Sequence, residues 1–287
     1  YEYYGAVDAT ECVVAMGSGA ETLRETVDYL NARGRKVGMI SVHLFRPFSA
    51  EYFLKSLPET VTRVAVLDRT KESGSTGEPL YLDVKSVLVD SDRKFDSIVG
   101  GRFGLSGKDT TPGMMKAVYD NLLLDKPKNS FTIGINDDVT FTSLPYEEID
   151  TDTPGQVSCK LWGVGGDGTV GANKNSVKII GDTTEKYTQA YFYYDAKKSG
   201  GVTQSHLRFS DQPIHATYLV QSADFVAVHN AAYLEKFDVA KELKPGGAFL
   251  LNCHWTDAEL EQYLPASLKR QLATKNARLY TIDASDI

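Results

Sequence analysis

The chain has 287 residues, of which 42% are hydrophobic and 24% are charged, so it is long enough for two soluble domains of ordinary size. Its formal net charge of -7 argues against a nucleic-acid surface, because binding a polyanion needs a concentrated positive face. No apolar run reaches the roughly 18 to 20 residues of a membrane helix, and the N-terminus lacks the regions of a signal peptide. We therefore expect a cytoplasmic protein that binds neither nucleic acid nor membrane.

Strands and helices alternate in the first part of the chain. The opening stretch "YEYYGAVDAT" resembles a loop that enters a buried strand, "ECVVAM", and the helix "ETLRETVDYLNARG" follows with Gly34 as its C-cap. The strands "KVGMISV" and "RVAVLD" flank a short helix capped by Ser49. A further helix is indicated by the spacing in "PLYLDVKSVLV", and another begins at Pro112. Near-continuous apolar strands alternating with helices predict an open parallel α/β domain over residues 1–125.

Residues 126–156 have a different character. They mix β-forming residues with Pro, Asn, Asp and Thr and have no helical period. This composition predicts an extended linker that packs along a surface.

A second α/β domain is predicted over residues 157–287, so the fold class is two open, mostly parallel α/β sheet domains joined by the extended linker. The predicted strands are 158–164, 188–194, 205–209, 224–228, 247–252 and 277–283, and the predicted helices are 169–180, 238–243 and 256–272, the last broken near Pro265. Because the final strand ends so close to the last residue, we expect the second domain to be truncated.

A glycine-rich loop carries the clearest candidate site. Gly163, Gly165 and Gly168 form a G-x-G-x-x-G pattern between a predicted strand and a predicted helix. In that context backbone N–H groups and the helix dipole receive a phosphate. A packing turn between strand and helix is an equal alternative. The candidate ligand-binding residues are Gly163, Gly165, Gly166, Asp167, Gly168, Thr169, Lys174 and Asn175.

A dinucleotide site is one interpretation of this loop. A Rossmann site needs an acidic residue at the end of the second strand to bind the ribose, and Asp195 follows the predicted strand "AYFYYD". Asp167 argues against it, because its carboxylate would lie in the loop that faces phosphate unless it caps the helix.

Other polar residues are weaker candidates for a site. The stretch "DRTKESGSTGEP" follows a strand, so Asp68, Glu78 and their neighbours belong at the carboxyl edge of the first sheet, where function and domain contact are equal alternatives. The five histidines lack metal-ligand spacing. The three cysteines form no C-x-x-C pair, so neither an iron–sulfur nor a zinc motif is present.

Four segments in order, "LFRPF", "LDRTKESGSTGEPLYLDV", "TIGINDDVTFTSL" and "GVGGDGTVGANKNSVKIIGD", resemble the middle of pyruvate:ferredoxin (flavodoxin) oxidoreductases. The resemblance spans nearly the whole chain. It implies that residues 1–125 form a domain similar to the C-terminal domain of transketolase, and that residues 157–287 form the gamma-type, coenzyme A-associated domain.

The resemblance also implies a function. Members of the family convert pyruvate and CoA to acetyl-CoA and CO₂ with thiamine diphosphate, Mg²⁺ and [4Fe-4S] clusters, and they reduce ferredoxin or flavodoxin. The chain would be a central fragment whose glycine loop holds the phosphates of CoA, with Lys174 as a charge partner. The cofactors would lie in the missing domains, so we expect no catalytic residue, no metal ligand and no turnover from the chain alone. The intact enzyme is expected to be a homodimer. An NAD-binding oxidoreductase domain and a non-catalytic scaffold are the alternatives.

Overall fold

A computed structural model describes residues 1–137, 139–195 and 200–284. The chain divides into two compact units, one formed by Tyr1–Thr151 with His215–Tyr218, and the other by Asp152–Ile214 with Leu219–Ile287. Each unit contains one six-stranded sheet.

The first sheet is parallel except at one edge. Its strands are β1 (Glu2–Gly5), β2 (Glu11–Ala15), β3 (Val37–Ser41), β4 (Arg63–Asp68), β5 (Ser97–Arg102) and β6 (Phe131–Thr132), in the order β1-β3-β2-β4-β5-β6. Only β1 runs antiparallel to its neighbour. The N-terminal stretch that was expected to be a loop is therefore an edge strand, and the predicted linker contributes β6.

Helices cover both faces of the first sheet. They are α1 (Ser18–Asn31), α2 (Ala50–Ser56), α3 (Pro79–Val89) and α4 (Pro112–Leu122). One core packs α1 and α4 on the sheet, and a second packs α2 and α3 on it. The predicted cap is present, since the Tyr52 N–H donates to Ser49 Oγ at 3.4 Å. The predicted helix start at Pro112 is confirmed.

The second sheet is mixed. Its strands are β7 (Val157–Val164), β8 (Tyr187–Tyr194), β9 (Val202–Ser210), β10 (Ala223–Val228), β11 (Leu243–Asn252) and β12 (Arg278–Ile282), in the order β12-β11-β10-β7-β9-β8. β9 is antiparallel to β7 and β8, and the other pairings are parallel. Two mostly parallel α/β sheets are thus confirmed.

The helices of the second unit are α5 (Thr169–Thr183), α6 (Asp257–Tyr263) and α7 (Ala266–Thr274). The predicted break at Pro265 lies between α6 and α7. The predicted helix over residues 238–243 is wrong. Two successive turns replace it, with N–H to C=O bonds from Lys241 to Asp238 and from Leu243 to Ala240, because the segment is too short to offset helix nucleation before β11 begins. No helix among the described residues is both long enough and apolar enough to cross a membrane.

Candidate functional site

The Asp167 carboxylate closes the glycine loop between β7 and α5. Its Oδ2 accepts a hydrogen bond from the Val164 N–H at 2.7 Å, and its Oδ1 accepts one from the Thr169 N–H at 2.8 Å. The loop is also tied to the start of β9, since the Gly165 N–H donates to the Gly201 carbonyl at 2.8 Å. Gly168, the residue directly before α5, has no side chain to cap the helix. The Asp167 carboxylate therefore acts as the cap.

Glycine is required at three points of this loop. Gly166 and Gly168 have φ values of +98° and +85°, which side chains other than glycine adopt only at a cost. A Cβ atom on Gly163 would lie 2.7 Å from Thr169 Cβ, so the end of β7 can approach the first residue of α5 only without a side chain. Glycine is thus needed at position 163 for close packing, and at positions 166 and 168 for the backbone conformation.

The loop also presents donors that the fold does not use. No residue in the described ranges accepts a hydrogen bond from the N–H groups of Gly166, Gly168, Val170 or Gly171. These N–H groups lie at the N-terminus of a 15-residue helix, where the helix dipole favours negative charge. This arrangement is suited to binding a phosphate.

A cavity of about 380 Å³ opens beside these donors. Its lining consists of the loop from Val164 to Gly168, the helical residues Val170 and Gly171, and the strand residues Tyr194 and Thr203. Four of the predicted residues therefore face one space, namely Gly165, Gly166, Asp167 and Gly168.

The other predicted residues lie elsewhere. Thr169 is buried beneath the loop, and Lys174 and Asn175 are exposed further along α5, outside the cavity lining. The Lys174 ammonium lies 5.3 Å from the centroid of the Phe192 ring. Of the eight candidate residues, four thus line the cavity, Gly163 and Thr169 are buried where β7 contacts α5, and Lys174 and Asn175 form an exposed pair.

His229 was not singled out by the sequence, yet it contacts the loop. The ring Nδ1 of His229 lies 2.7 Å from Thr169 Oγ1, and the backbone N–H of His229 donates to the Trp162 carbonyl at 2.9 Å. Burial lowers the pKa of His229, and the Asp167 carboxylate opposes that shift. The signal available in the sequence was the position of His229 directly after a strand, since parallel strands end at the same edge of a sheet as the loop.

Asp195 does not occupy the position of a ribose-binding carboxylate. In a Rossmann unit the acidic residue ends the parallel strand next to the one that precedes the glycine loop. Here the antiparallel β9 separates β8 from β7, so the two parallel strands are roughly 10 Å apart. Tyr194, and not Asp195, lines the cavity.

Two charged residues at the carboxyl edge of the first sheet, Asp68 and Glu78, have partners within the fold. Asp68 is 2% exposed, and its two oxygens accept hydrogen bonds from the N–H groups of Leu80 at 2.9 Å and Tyr81 at 3.1 Å. The buried Glu78 carboxylate lies 3.2 Å from the Arg102 guanidinium. Burial raises the pKa of Asp68, and the two N–H donors oppose the shift. These contacts make Asp68 the cap of α3.

The second unit also buries a charged group on the face of its sheet. Lys160 Nζ lies 3.0 Å from Glu242 Oε1, and burial lowers the pKa of this lysine. His206 is its partner on β9 in the strand register, and its Nδ1 accepts a hydrogen bond from the Val220 N–H at 3.1 Å. Burial lowers the pKa of His206 to about 3, so it is neutral at physiological pH.

Metal-ligating residues do not gather in the described part of the chain. Within residues 1–137, 139–195 and 200–284, no three His, Cys, Asp or Glu side chains are placed to hold a metal ion. Cys12 lies in the first unit, and Cys159 and Cys253 lie in the second. These three thiols do not fit the four thiolate ligands of a [4Fe-4S] cluster.

Comparison with known families assigns both halves of the chain. Residues 9–114 match the family model described as "Pyruvate:ferredoxin oxidoreductase core domain II". Residues 158–287 match the model described as "Pyruvate ferredoxin/flavodoxin oxidoreductase". The matches follow the order of the two sheets.

Full-length relatives agree with these matches. The chain is 55% identical over 289 residues to a pyruvate-flavodoxin oxidoreductase of Enterobacter agglomerans, with 100% of this chain and 25% of that protein aligned. It is 56% identical over 288 residues to a pyruvate:ferredoxin oxidoreductase of Moorella thermoacetica, with 100% and 24% aligned. A pyruvate oxidoreductase subunit of known structure from Thermotoga maritima aligns with a TM-score of 0.36 at 19% identity, over 46% of this chain and 64% of that one. The chain therefore belongs to the pyruvate:ferredoxin/flavodoxin oxidoreductase family and spans about 25% of the length of the curated relatives that it matches.

Proposed function

We propose that the chain is part of an enzyme that converts pyruvate and CoA to acetyl-CoA and CO₂ and reduces ferredoxin or flavodoxin. Its share of the work is to bind CoA at the glycine loop and to help position the domains that perform the chemistry. A thiol substrate that is held in place reaches an enzyme-bound acyl intermediate faster than one that must collide with it.

The observation that carries the proposal is the set of unused N–H groups beside the cavity. Gly166, Gly168, Val170 and Gly171 present donors at the N-terminus of α5 that no described residue accepts. A diphosphate supplies negative charge and several acceptor oxygens, which is the chemistry that such a helix end binds.

Two predicted residues have different parts in this proposal. Asp167 shapes the loop, because its carboxylate is engaged by the N–H groups of Val164 and Thr169. Lys174 lies outside the cavity lining, so we assign it a long-range electrostatic contribution that depends on ionic strength.

Electron transfer and decarboxylation are assigned to other parts of the enzyme. The residues of this chain do not fit a [4Fe-4S] cluster, and the described residues offer no three-ligand set for the metal of a diphosphate cofactor. We accordingly propose that the chain alone has no turnover. Pyruvate-dependent reduction of a viologen dye by the purified chain would disprove this.

Calorimetric titration of the 287-residue chain with CoA tests the binding proposal, with a matched pair of glycine substitutions in α5. Gly171→Ala places a methyl group beside the cavity, and no atom lies within 4 Å of the new Cβ position. Gly181→Ala makes the same change near the other end of the helix, where the nearest atom is Thr188 Oγ1 at 3.2 Å. Both changes add helix propensity of about 1 kcal/mol, so neither is expected to unfold α5.

The site is supported if Gly171→Ala weakens CoA binding about tenfold or more and Gly181→Ala leaves it unchanged. Gly168→Asp is expected to abolish binding, since it adds a carboxylate to the cavity lining. Equal binding by all three variants would exclude the loop. Titration with dephospho-CoA and NADH separates the alternatives: preference for NADH would favour the dinucleotide domain, and no binding to either ligand would favour a scaffold.

A further inference from the structure

Thr203 is a buried hydroxyl with no hydrogen-bond partner at the edge of the proposed site. The residue is 4% exposed, and no described residue bonds to its Oγ1. In the sheet register Thr203 lies between Gly163 on β7 and Tyr194 on β8. It also lines the cavity beside the glycine loop.

An unpartnered buried hydroxyl destabilises a fold, because it has lost its bonds to water and gained none. Valine has the same shape and is a better strand residue, so the fold alone favours valine at position 203. A polar group that is kept at a cost to stability often has a role in binding. The unmet hydrogen-bonding capacity of Thr203 therefore points to a ligand.

Rotation about χ1 gives the Thr203 hydroxyl more than one position. Threonine occupies staggered χ1 rotamers, and a change of rotamer carries its hydroxyl, its methyl group and its Cβ hydrogen together to the next staggered positions. No hydrogen bond to a described residue holds the Thr203 hydroxyl in its present position. Since the residue lines the cavity, rotation of its side chain changes which of its groups faces that space.

We propose that the Thr203 hydroxyl donates a hydrogen bond to a phosphoryl oxygen of the ligand that binds at the N-terminus of α5. The inference rests on the proposed CoA site and adds a side-chain donor to a site otherwise built from backbone N–H groups. The backbone donors come from the loop and the helix, whereas Thr203 comes from β9. Contacts from two directions orient a phosphoryl group, which a helix end alone does not.

Ser205 supplies a matched control. It lies two residues further along β9, so its side chain is on the same face of the sheet as that of Thr203. It is 0% exposed, and its Oγ also has no partner among the described residues. Ser205 does not line the cavity. Removing its hydroxyl therefore tests the effect of an unpartnered buried group without touching the site.

The experiment compares Thr203→Val, Thr203→Ser and Ser205→Ala in the 287-residue chain, by thermal unfolding and by calorimetric titration with CoA and with inorganic pyrophosphate. We expect Thr203→Val to raise the unfolding midpoint and to weaken CoA binding about tenfold, the effect of losing one charge-assisted hydrogen bond. Thr203→Ser keeps the hydroxyl and is expected to bind within about twofold of the wild type. Ser205→Ala should leave the affinity unchanged.

The outcomes separate this inference from the proposed function. If the wild type binds CoA, Gly171→Ala weakens binding and Thr203→Val does not, the inference is wrong and the CoA site stands. If Thr203→Ser loses affinity as Thr203→Val does, the effect is one of packing and the inference is wrong. If the wild type binds neither CoA nor pyrophosphate, both are overturned. Weaker pyrophosphate binding by Thr203→Val would identify the diphosphate as the group contacted, whereas an effect on CoA alone would place the contact at its separate phosphate ester.

Discussion

Replacing Asp68 is expected to destabilise the first unit more than the loss of an ordinary helix cap. α3 begins at Pro79, and the residue before it, Glu78, makes no side-chain hydrogen bond to the helix. The carboxylate of Asp68 instead accepts the N–H groups of Leu80 and Tyr81 from the end of a neighbouring strand. Asp68→Ala leaves two buried donors without an acceptor.

The magnitude follows from these two bonds. An unsatisfied buried donor costs about 1–3 kcal/mol, so the loss of an acceptor for two donors in Asp68→Ala is expected to lower the free energy of unfolding by about 2–6 kcal/mol. Asp68→Asn keeps one carbonyl oxygen and is expected to lose about half as much. Ser49→Ala removes a single bond of 3.4 Å at the cap of α2 and serves as the ordinary case, at about 0.5–1 kcal/mol.

Comparison of Asp68→Asn with the wild type also has a pH signature. Burial raises the pKa of Asp68 above its ordinary value of 3.8, so the folded state holds the proton more tightly than the unfolded state does. The associated stability is complete below pH 3.8 and is lost as the pH rises through the folded-state pKa. Asparagine does not titrate, so the advantage of the wild type over Asp68→Asn should shrink as the pH rises from about 4.

Urea unfolding combined with hydrogen exchange tests the argument. Because the chain has two compact units, separate transitions are possible, and exchange at Leu80 and Tyr81 reports on α3 itself. Both amides should exchange faster in Asp68→Ala, while β2 keeps its protection. A loss below about 0.5 kcal/mol with unchanged exchange at these amides would refute the assignment of Asp68 as the cap of α3.

Three further predictions concern the second unit. Burial lowers the pKa of His206 from 6.5 to about 3, so its contribution to stability is present above pH 6.5 and is lost as the pH falls towards 3. The stability of a His206→Gln variant should therefore depend less on pH between these two values, as measured by unfolding titrations. Lys160→Met leaves the buried carboxylate of Glu242 unpaired and should lower the free energy of unfolding in urea by about 3–5 kcal/mol. The double variant Lys160→Met with Glu242→Leu should recover most of that loss, and additive losses would contradict a direct pairing of the two residues. Iodoacetamide at pH 8 should label Cys253 well before Cys159, since burial raises the pKa of the Cys159 thiol to about 12 and Cys253 is partly exposed. Mass spectrometry of the labelled native chain measures the order, and earlier labelling of Cys159 would contradict the prediction.

Local sequence patterns predicted most of the helices and strands. Apolar periodicity and capping residues are properties of short segments, so the cap at Ser49 and the helix start at Pro112 were found from the sequence. The edge strand β1 and the short strand β6 were not, because both exist through pairing with distant segments and have no period of their own. The turns at residues 238–243 were predicted as a helix from spacing that is too short to decide between the two.

The candidate site was predicted in part for the same reason. The glycine loop and the start of α5 are contiguous in sequence, so their pattern identified them. Thr203 and His229 reach the loop from β9 and from the end of β10, and only the strand order brings them there. The strand order also explains why Asp195 lies away from the ribose position, since the insertion of β9 between β7 and β8 is not visible in any local pattern.

The sequence did not decide whether the carboxyl edge of the first sheet and the glycine loop of the second have structural or ligand-binding roles. The hydrogen-bond partners of their polar groups distinguish the two. In the first unit, the buried carboxylate of Asp68 accepts two backbone N–H groups and that of Glu78 forms an ion pair with Arg102, so the burial of these carboxylates is explained without a ligand. In the second unit, Asp167 is satisfied in the same way, yet the N–H groups that start α5 and the hydroxyl of Thr203 have no partner among the described residues. Folded proteins leave few such groups unpaired, and those that remain together beside a cavity are the groups that a ligand can satisfy. The partners of Asp68 and Glu78 therefore indicate a structural role at the first edge, whereas the unpartnered groups beside the glycine loop indicate a phosphate-binding site at the second.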